Sequence, residues 1–142
     1  MRRRAMASIA VGALLTLSCS SVRPVAIREG DQCFRCRRPI AERAMAAEMM
    51  DGTLPSKFRT SGCMAKYLAD HPYETGTTFV TDYATGKFIG PARAWFVPVV
   101  TNAYTGERDY RAYGLKADAD AAAAELHSTP VDWTTVLEKA RS

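Results

Sequence analysis

The stretch DQCFRCRRPI, residues 31–40, places Cys33 and Cys36 two residues apart. Further along the chain, Cys63 adds a third thiol, and the thioether of Met64 stands directly beside it. Two thiols at this spacing can bind one soft metal ion or close a small disulfide ring. A third thiolate together with a thioether favours the metal, because Cu(I) prefers sulfur ligands of these two kinds.

The local sequence predicts how each group of sulfurs is held. Pro39 limits any regular element that starts at the first two cysteines, so we predict a tight turn, or knuckle, over Cys33 to Arg38. Thr60 or Ser61 can cap a helix over Gly62 to Asp70. Cys63 would then lie in the first turn, where the helix dipole and the free N–H groups stabilise a thiolate.

The N-terminus has the pattern of an export signal. Residues 1–18 begin with a basic cluster, continue with an apolar run and end in small residues. Cys19 at the expected cleavage point predicts a lipoprotein that is acylated on this cysteine; the alternative is an ordinary signal peptide cleaved nearby. Residues 19–30 are then predicted to be a membrane tether and residues 31–142 the metal-binding domain.

Charge and cysteine count restrict the function further. The 142 residues include 19 Lys and Arg against 15 Asp and Glu, and three of these arginines lie in the predicted signal. A nearly neutral mature chain argues against bulk nucleic-acid binding. Three cysteines remain after Cys19 is acylated, and an odd number suggests a metal site, or one disulfide with a free thiol. No motif supports a catalytic set, so we do not expect an enzyme.

The pattern of turns and apolar residues predicts a small single α+β domain of two ββα-like halves, with mostly antiparallel strands and two or three helices. The first half comprises strands over 44–50 and 53–59 and the helix that carries Cys63. The second half comprises strands over 77–83 and 88–89 and a helix over 116–127. Further strands are predicted over 92–100 and 109–113, separated by a polar loop over 102–108, and a last helix over 133–140.

Several apolar side chains are predicted to form the core: Phe58, Leu68, Phe79, Val80, Trp95, Phe96, Val97, Leu126 and Val136. Three methionines before the first turn, Met45, Met49 and Met50, are also expected to be buried rather than to bind metal. His71 and His127 end two of the helices and are expected at the surface, although imidazole also binds copper and either could be an optional donor.

In their order and spacing these residues resemble the NosL-type lipoproteins, accessory proteins of nitrous oxide reductase. The resemblance runs from Asp31 to about Asp132. It is carried by Cys19, Cys33-Phe34-Arg35-Cys36, Ala46-Ala47-Glu48 before Asp51-Gly52, Phe58 with Ser61-Gly62-Cys63-Met64, Asp82-Tyr83 with Thr85-Gly86-Lys87, Ala94, and Tyr113 to Ala119. The family normally has Gly-Met after the second cysteine, where this chain has Arg37 and Arg38. Two guanidinium groups there would raise the cost of placing Cu(I) beside Cys36.

The resemblance implies a lipoprotein, expected in the outer membrane and facing the periplasm, that binds Cu(I) transiently. It would deliver copper to nitrous oxide reductase or another copper enzyme, together with an ABC-type maturation complex. The ligand set expected here is Cys33, Cys36, Cys63 and Met64, with His71 or His127 as optional donors.

Two alternatives remain open from the residues alone. In the first, the chain is an exported thiol–disulfide protein in which Cys33 and Cys36 cycle and Cys63 resolves. In the second, it is a structural or interaction lipoprotein whose Cys33–Cys36 disulfide only holds a turn.

Overall fold

A computed structural model describes residues 21–142, so the predicted signal peptide and the predicted acylation site at Cys19 lie outside the described residues. Among residues 21–142, no helix combines the length and the apolar character that crossing a bilayer requires. The strands and α-helices described are, in chain order, β1 (Ala47–Asp51), β2 (Leu54–Phe58), α1 (Ser61–Asp70), β3 (Thr77–Thr81), β4 (Phe88–Ile89), β5 (Trp95–Asn102), β6 (Glu107–Tyr113), α2 (Lys116–Glu125) and α3 (Trp133–Arg141).

Two antiparallel sheets confirm the predicted α+β class. Strands β2, β1, β3 and β4 form one sheet in that order, and β5 pairs with β6 in the other. The β1–β2 turn uses Gly52 at φ 58°, a left-handed conformation that glycine adopts without strain. Pro55 lies in the edge strand β2, as predicted, which is where a sheet tolerates a residue without an N–H group.

The second ββα unit differs from the prediction. Strand β3 pairs with β1 and strand β4 with β3, so both belong to the first sheet. The second hairpin is instead β5–β6, followed by α2. Its turn is shorter than the predicted polar loop, because the Asn102 side chain accepts hydrogen bonds from the N–H groups of Tyr104 and Thr105 and Gly106 adopts φ 68°. The strand predicted over 109–113 is present as β6, which begins two residues earlier than predicted, since the charged Glu107 and Arg108 have the pattern of a polar loop.

The predicted first strand also starts later than expected, because Arg43–Met45 is a 3₁₀ turn that precedes β1. The helix caps agree with the prediction. The Thr60 side chain accepts a hydrogen bond from the Cys63 N–H at the start of α1, and the Asp132 side chain accepts one from the Thr135 N–H at the start of α3.

Most of the predicted core is buried. Phe58, Val80, Phe96, Val97 and Val136 are at most 1% exposed, and the three methionines before the first turn are buried as well. Leu68, Phe79 and Trp95 are half-buried. The prediction was wrong for Leu126, which is 39% exposed, because α2 ends at Glu125 and buries only alanines against the domain.

Residues 25–27 of the predicted tether contact the folded domain. The Val25 N–H donates to Oε1 of Glu48 at 2.6 Å, and the Lys57 ammonium donates to the Ala26 carbonyl. Ile27 is buried in a small cluster with Ile40. The last residues of the predicted tether therefore pack along β1 and β2.

Candidate metal centre

The first two cysteines lie in the predicted knuckle. Gln32 and Pro39 form an antiparallel bridge, the Cys33 N–H donates to the Arg38 carbonyl, and the Arg37 N–H donates back to the Cys33 carbonyl, both at 2.9 Å. Arg37 closes the turn at φ 62°, which is a left-handed conformation that a non-glycine residue adopts at a cost. A glycine at this position would avoid that cost.

The third cysteine is held by the N-terminus of α1. The Thr60 hydroxyl oxygen accepts the Cys63 N–H at 3.1 Å, and the same hydroxyl donates to Oδ2 of Asp109 on β6 at 2.6 Å. The Gly62 N–H donates to the other oxygen of Asp109 at 3.0 Å. The second half of the domain therefore contacts the turn that presents Cys63.

The structure brings the three thiols together. The Sγ atoms of Cys33, Cys36 and Cys63 all lie within 4.8 Å of one another. All three cysteines are free, and the Cys33 and Cys63 sulfurs are 3.3 Å apart. Cys33 is 0% exposed and Cys63 6%, whereas Cys36 is half-buried. The cluster thus has two sulfurs inside the domain and one at its opening.

The two buried thiols share a proton. The hydrogen bond between their sulfurs lowers the pKa of Cys33 to about 4 and raises the pKa of Cys63 above its ordinary value. Burial opposes the lower pKa of Cys33, but backbone hydrogen bonds from Cys36 and Arg59 support it. These hydrogen bonds favour a thiolate on Cys33, with the Cys63 thiol as the donor, whereas the position of Cys63 at the start of α1 had predicted a thiolate there. The Cys63 N–H is directed to the Thr60 cap, so it does not stabilise a charge on the Cys63 sulfur.

Two arginines lie beside the sulfurs, Arg35 between the first two cysteines and Arg59 just before the helix cap. Burial alone would lower the pKa of Arg59, but hydrogen bonds to the Cys36 sulfur and to Glu107 raise it. The pKa of Arg35 is likewise raised against burial, by its ion pair with Asp70 and by the Cys63 sulfur. Such guanidinium groups compensate negative charge on a cluster of thiolates. Arg59 lies next to the helix cap in sequence, and nothing in the local pattern marks it as part of a site.

The arginines expected to disturb the site make other contacts. The Arg37 guanidinium lies over the Phe34 ring, 5.5 Å from its centroid. Arg38 forms an ion pair with Glu107 at 3.1 Å. The positive charge at the cluster therefore comes from Arg35 and Arg59 rather than from Arg37 and Arg38.

The other predicted donors differ in where they lie. Met64 is fully buried in the same apolar cluster as Cys33 and Cys63, and its role as an auxiliary ligand stays a prediction. Neither histidine contributes a nitrogen to the group. His71 is exposed and stacks on Tyr67, with 4.2 Å between ring centroids, and His127 is exposed beyond the end of α2.

Comparison with known proteins gives one informative match. No protein-family profile matches the chain, and no curated protein sequence matches it either. A solved structure, the crystal structure of the copper chaperone NosL from Shewanella denitrificans, is similar with a TM-score of 0.66 and 20% sequence identity. The match covers 79% of this chain and 93% of that chain. The chain therefore has a NosL-like fold, in agreement with the resemblance noted from its motifs.

Proposed function

We propose that this chain is a Cu(I) chaperone that binds the ion with Cys33, Cys36 and Cys63. The observation that supports this most is the convergence of three sulfurs from two separate elements within 4.8 Å. An ion about 2.3 Å from each of three sulfurs in a plane would hold those sulfurs about 4 Å apart, so the cluster needs little rearrangement.

The donor set favours Cu(I) over Zn²⁺. Structural zinc sites are almost always four-coordinate. Among residues 21–142, no fourth cysteine, histidine or carboxylate joins the group. A soft d¹⁰ ion that accepts three sulfur ligands matches what is present. Arg35 and Arg59 add positive charge beside the sulfurs, which offsets the net negative charge of a Cu(I) ion bound by three thiolates.

The uneven burial of the three sulfurs suits transfer of the ion. Cys36 is half-buried at the opening of the cluster, so an incoming sulfur ligand from a partner could replace it first. Cys33 and Cys63, both buried, would hold the ion until that exchange is complete. A site of this kind binds copper as cargo and not as a permanent cofactor, which agrees with a protein that is not an enzyme.

We also propose the location and the client that the NosL-type resemblance implies. The chain would be anchored in the outer membrane through acylated Cys19 and face the periplasm. It would pass copper to nitrous oxide reductase or a related copper enzyme, with an ABC-type complex as partner. Metabolic labelling with a fatty acid, compared between the full chain and Cys19→Ser, tests the anchor. Copper content of the candidate client, purified with and without the chaperone, tests delivery.

Titration of the reduced protein with Cu(I) against a competing chelator tests metal binding. We expect one tightly bound ion per chain, and we expect Cys33→Ser, Cys36→Ser and Cys63→Ser each to weaken binding strongly. His127→Asn is a matched control, because this histidine is exposed and lies outside the sulfur group. Uptake that is unchanged in all three cysteine variants would contradict the proposal.

The 3.3 Å contact between Cys33 and Cys63 supports a second candidate function, a thiol–disulfide protein. A thiol with a pKa of about 4 beside a second thiol is the arrangement that such proteins use. The pair in contact is Cys33 with Cys63, whereas the sequence analysis considered Cys33 with Cys36. A redox titration distinguishes the two functions, since a redox protein needs a disulfide that physiological dithiols reduce easily.

A further inference from the structure

Strand β6 directs two carboxylates toward the elements that hold the sulfurs. Glu107 and Asp109 are two residues apart, so their side chains project from the same face of the strand. Glu107 pairs with Arg38 of the knuckle at 3.1 Å and with Arg59 at 2.7 Å. The pKa of Arg59 is in turn raised by the Cys36 sulfur, so these two groups are close enough to interact. Through these pairs, Glu107 is connected to the Cys33–Cys36 side of the cluster.

Asp109 is connected to the Cys63 side. This carboxylate is only 8% exposed and accepts hydrogen bonds from the Thr60 hydroxyl and the Gly62 N–H. Thr60 also accepts the Cys63 N–H, so one chain of hydrogen bonds runs from the carboxylate to the backbone of the cysteine. A Cβ atom at Gly62 would lie 2.5 Å from Oδ1 of Asp109, so this close approach requires glycine.

A buried carboxylate is costly unless its oxygens are hydrogen-bonded, and a helix can be packed on a sheet with apolar residues alone. The hydrogen bonds to Asp109 are directional and fix both the position and the rotation of the first turn of α1. Cys63 lies in that turn, with its sulfur 3.3 Å from that of Cys33.

We propose that Glu107 and Asp109, on strand β6 of the second half of the domain, are positioning residues. They fix the position of the Cys33–Cys36 knuckle relative to Cys63, and so the spacing of the three sulfurs. Asp109 sets the position of Cys63 relative to Cys33, and Glu107 sets the knuckle and Arg59 relative to Cys36. The effect of these two residues on Cu(I) binding rests on the proposed function. Their effect on the spacing of the sulfurs does not rest on it, because that spacing is a property of the metal-free protein.

A double-mutant cycle tests the role of Asp109 in copper binding. We expect Asp109→Asn to weaken Cu(I) binding about tenfold to a hundredfold, the range typical of residues that orient metal ligands. If Asp109 acts through Cys63, the substitution will have almost no further effect in a Cys63→Ser background. An undiminished effect in that background would overturn the proposal. Glu138→Gln, an exposed carboxamide substitution on α3, is the matched control and should bind as the unchanged chain does.

Thr60 provides a second test that does not depend on Asp109 variants folding. Thr60→Val removes the hydroxyl that joins Asp109 to Cys63, whereas Thr60→Ser keeps it. We expect weaker Cu(I) binding for valine and near-complete rescue for serine. Equal binding by the two variants would contradict the role of this hydrogen-bond chain.

The role of Glu107 is tested in the Cys36→Ser and Cys63→Ser backgrounds. We expect Glu107→Gln to weaken Cu(I) binding and its effect to be lost in Cys36→Ser but kept in Cys63→Ser. The opposite pattern would overturn the assignment of Glu107 to the Cys36 side.

The rate of disulfide formation in the metal-free protein distinguishes the positioning role from the proposed Cu(I) chaperone function. In a Cys36→Ser protein, diamide oxidises Cys33 and Cys63 to a disulfide, and two electrons and two protons pass to the reagent. We expect Asp109→Asn to slow this reaction several-fold. If the unchanged chain binds no Cu(I) but Asp109→Asn slows the oxidation, the proposed function fails and the positioning role holds. If Cu(I) binds and both the affinity and the oxidation rate are unaffected by Asp109→Asn, the positioning role alone fails.

Discussion

The sulfurs of Cys33 and Cys63 are 3.3 Å apart, although thirty residues separate them in the chain. This contact joins the knuckle to the first turn of α1. It lowers the pKa of Cys33 and raises that of Cys63, and it places these two sulfurs closest for oxidation to a disulfide. Two of the following predictions test it directly.

The first prediction concerns the thiolate. The pKa of Cys33 is lowered to about 4, mainly by the hydrogen bond from Cys63, so the reduced protein should keep one thiolate at neutral and mildly acidic pH. Its ultraviolet absorbance near 240 nm should fall only as the pH approaches about 4. Cys63→Ala, which removes the donor, should move this transition toward the pKa of an ordinary thiol, about 8.5. A transition at that ordinary value in the unchanged protein would contradict the shared proton.

The second prediction concerns oxidation. Mild oxidation of the metal-free protein should produce a Cys33–Cys63 disulfide in preference to Cys33–Cys36, because the first two sulfurs are already in contact. Peptide mapping by mass spectrometry identifies the pair. The oxidised protein should take up no Cu(I), and treatment with a dithiol should restore uptake. A dominant Cys33–Cys36 disulfide would show that the knuckle rearranges before it reacts.

The third prediction concerns the knuckle. Arg37 adopts φ 62°, so Arg37→Gly should stabilise the domain by about 0.5 kcal/mol, since relief of left-handed strain exceeds the entropy that glycine loses on folding. Urea unfolding measures the change. Arg38→Gly is the matched control, because Arg38 has no left-handed strain to relieve. This variant loses the ion pair with Glu107 and should destabilise the domain.

The fourth prediction concerns the buried Glu48. Burial raises the pKa of Glu48, although the hydrogen bond from the Val25 N–H lowers it. At pH values between the unfolded and the folded pKa, the folded protein therefore keeps a proton on Glu48 that the unfolded chain releases. Stability from this residue is therefore fully present below the unfolded pKa and is lost as the pH rises through the higher folded pKa. Glu48→Gln does not titrate. Its free energy of unfolding relative to the unchanged chain should increase from acidic to neutral pH.

Unfolding curves at several pH values measure this difference. Asp120→Asn is a suitable control, because Asp120 pairs with Lys116 at the surface of α2. A difference between Glu48→Gln and the unchanged chain that does not vary with pH would mean that Glu48 is not protonated on folding.

The features that depended on neighbouring residues could be predicted from the sequence. Thr60 and Asp132 cap their helices, Pro39 limits the knuckle, and Gly52 forms the first turn, because each interaction spans only a few residues. Both strands of the second hairpin were predicted, but not that they pair with each other in a second sheet, because such pairing joins residues far apart in the chain. The first residue of β6, Glu107, forms ion pairs with Arg38 and Arg59 of the first half, which no local pattern indicates.

The sequence by itself determined which sulfurs were available and the local turn that presents each of them. The tertiary structure decided that Cys63 meets the knuckle, that its sulfur lies against that of Cys33, and that Arg59 and Asp109 reach the site. These relationships depend on how α1 packs between the knuckle and β6. Such packing is set by the shapes and burial of side chains far apart in the chain, and no local spacing of residues records it.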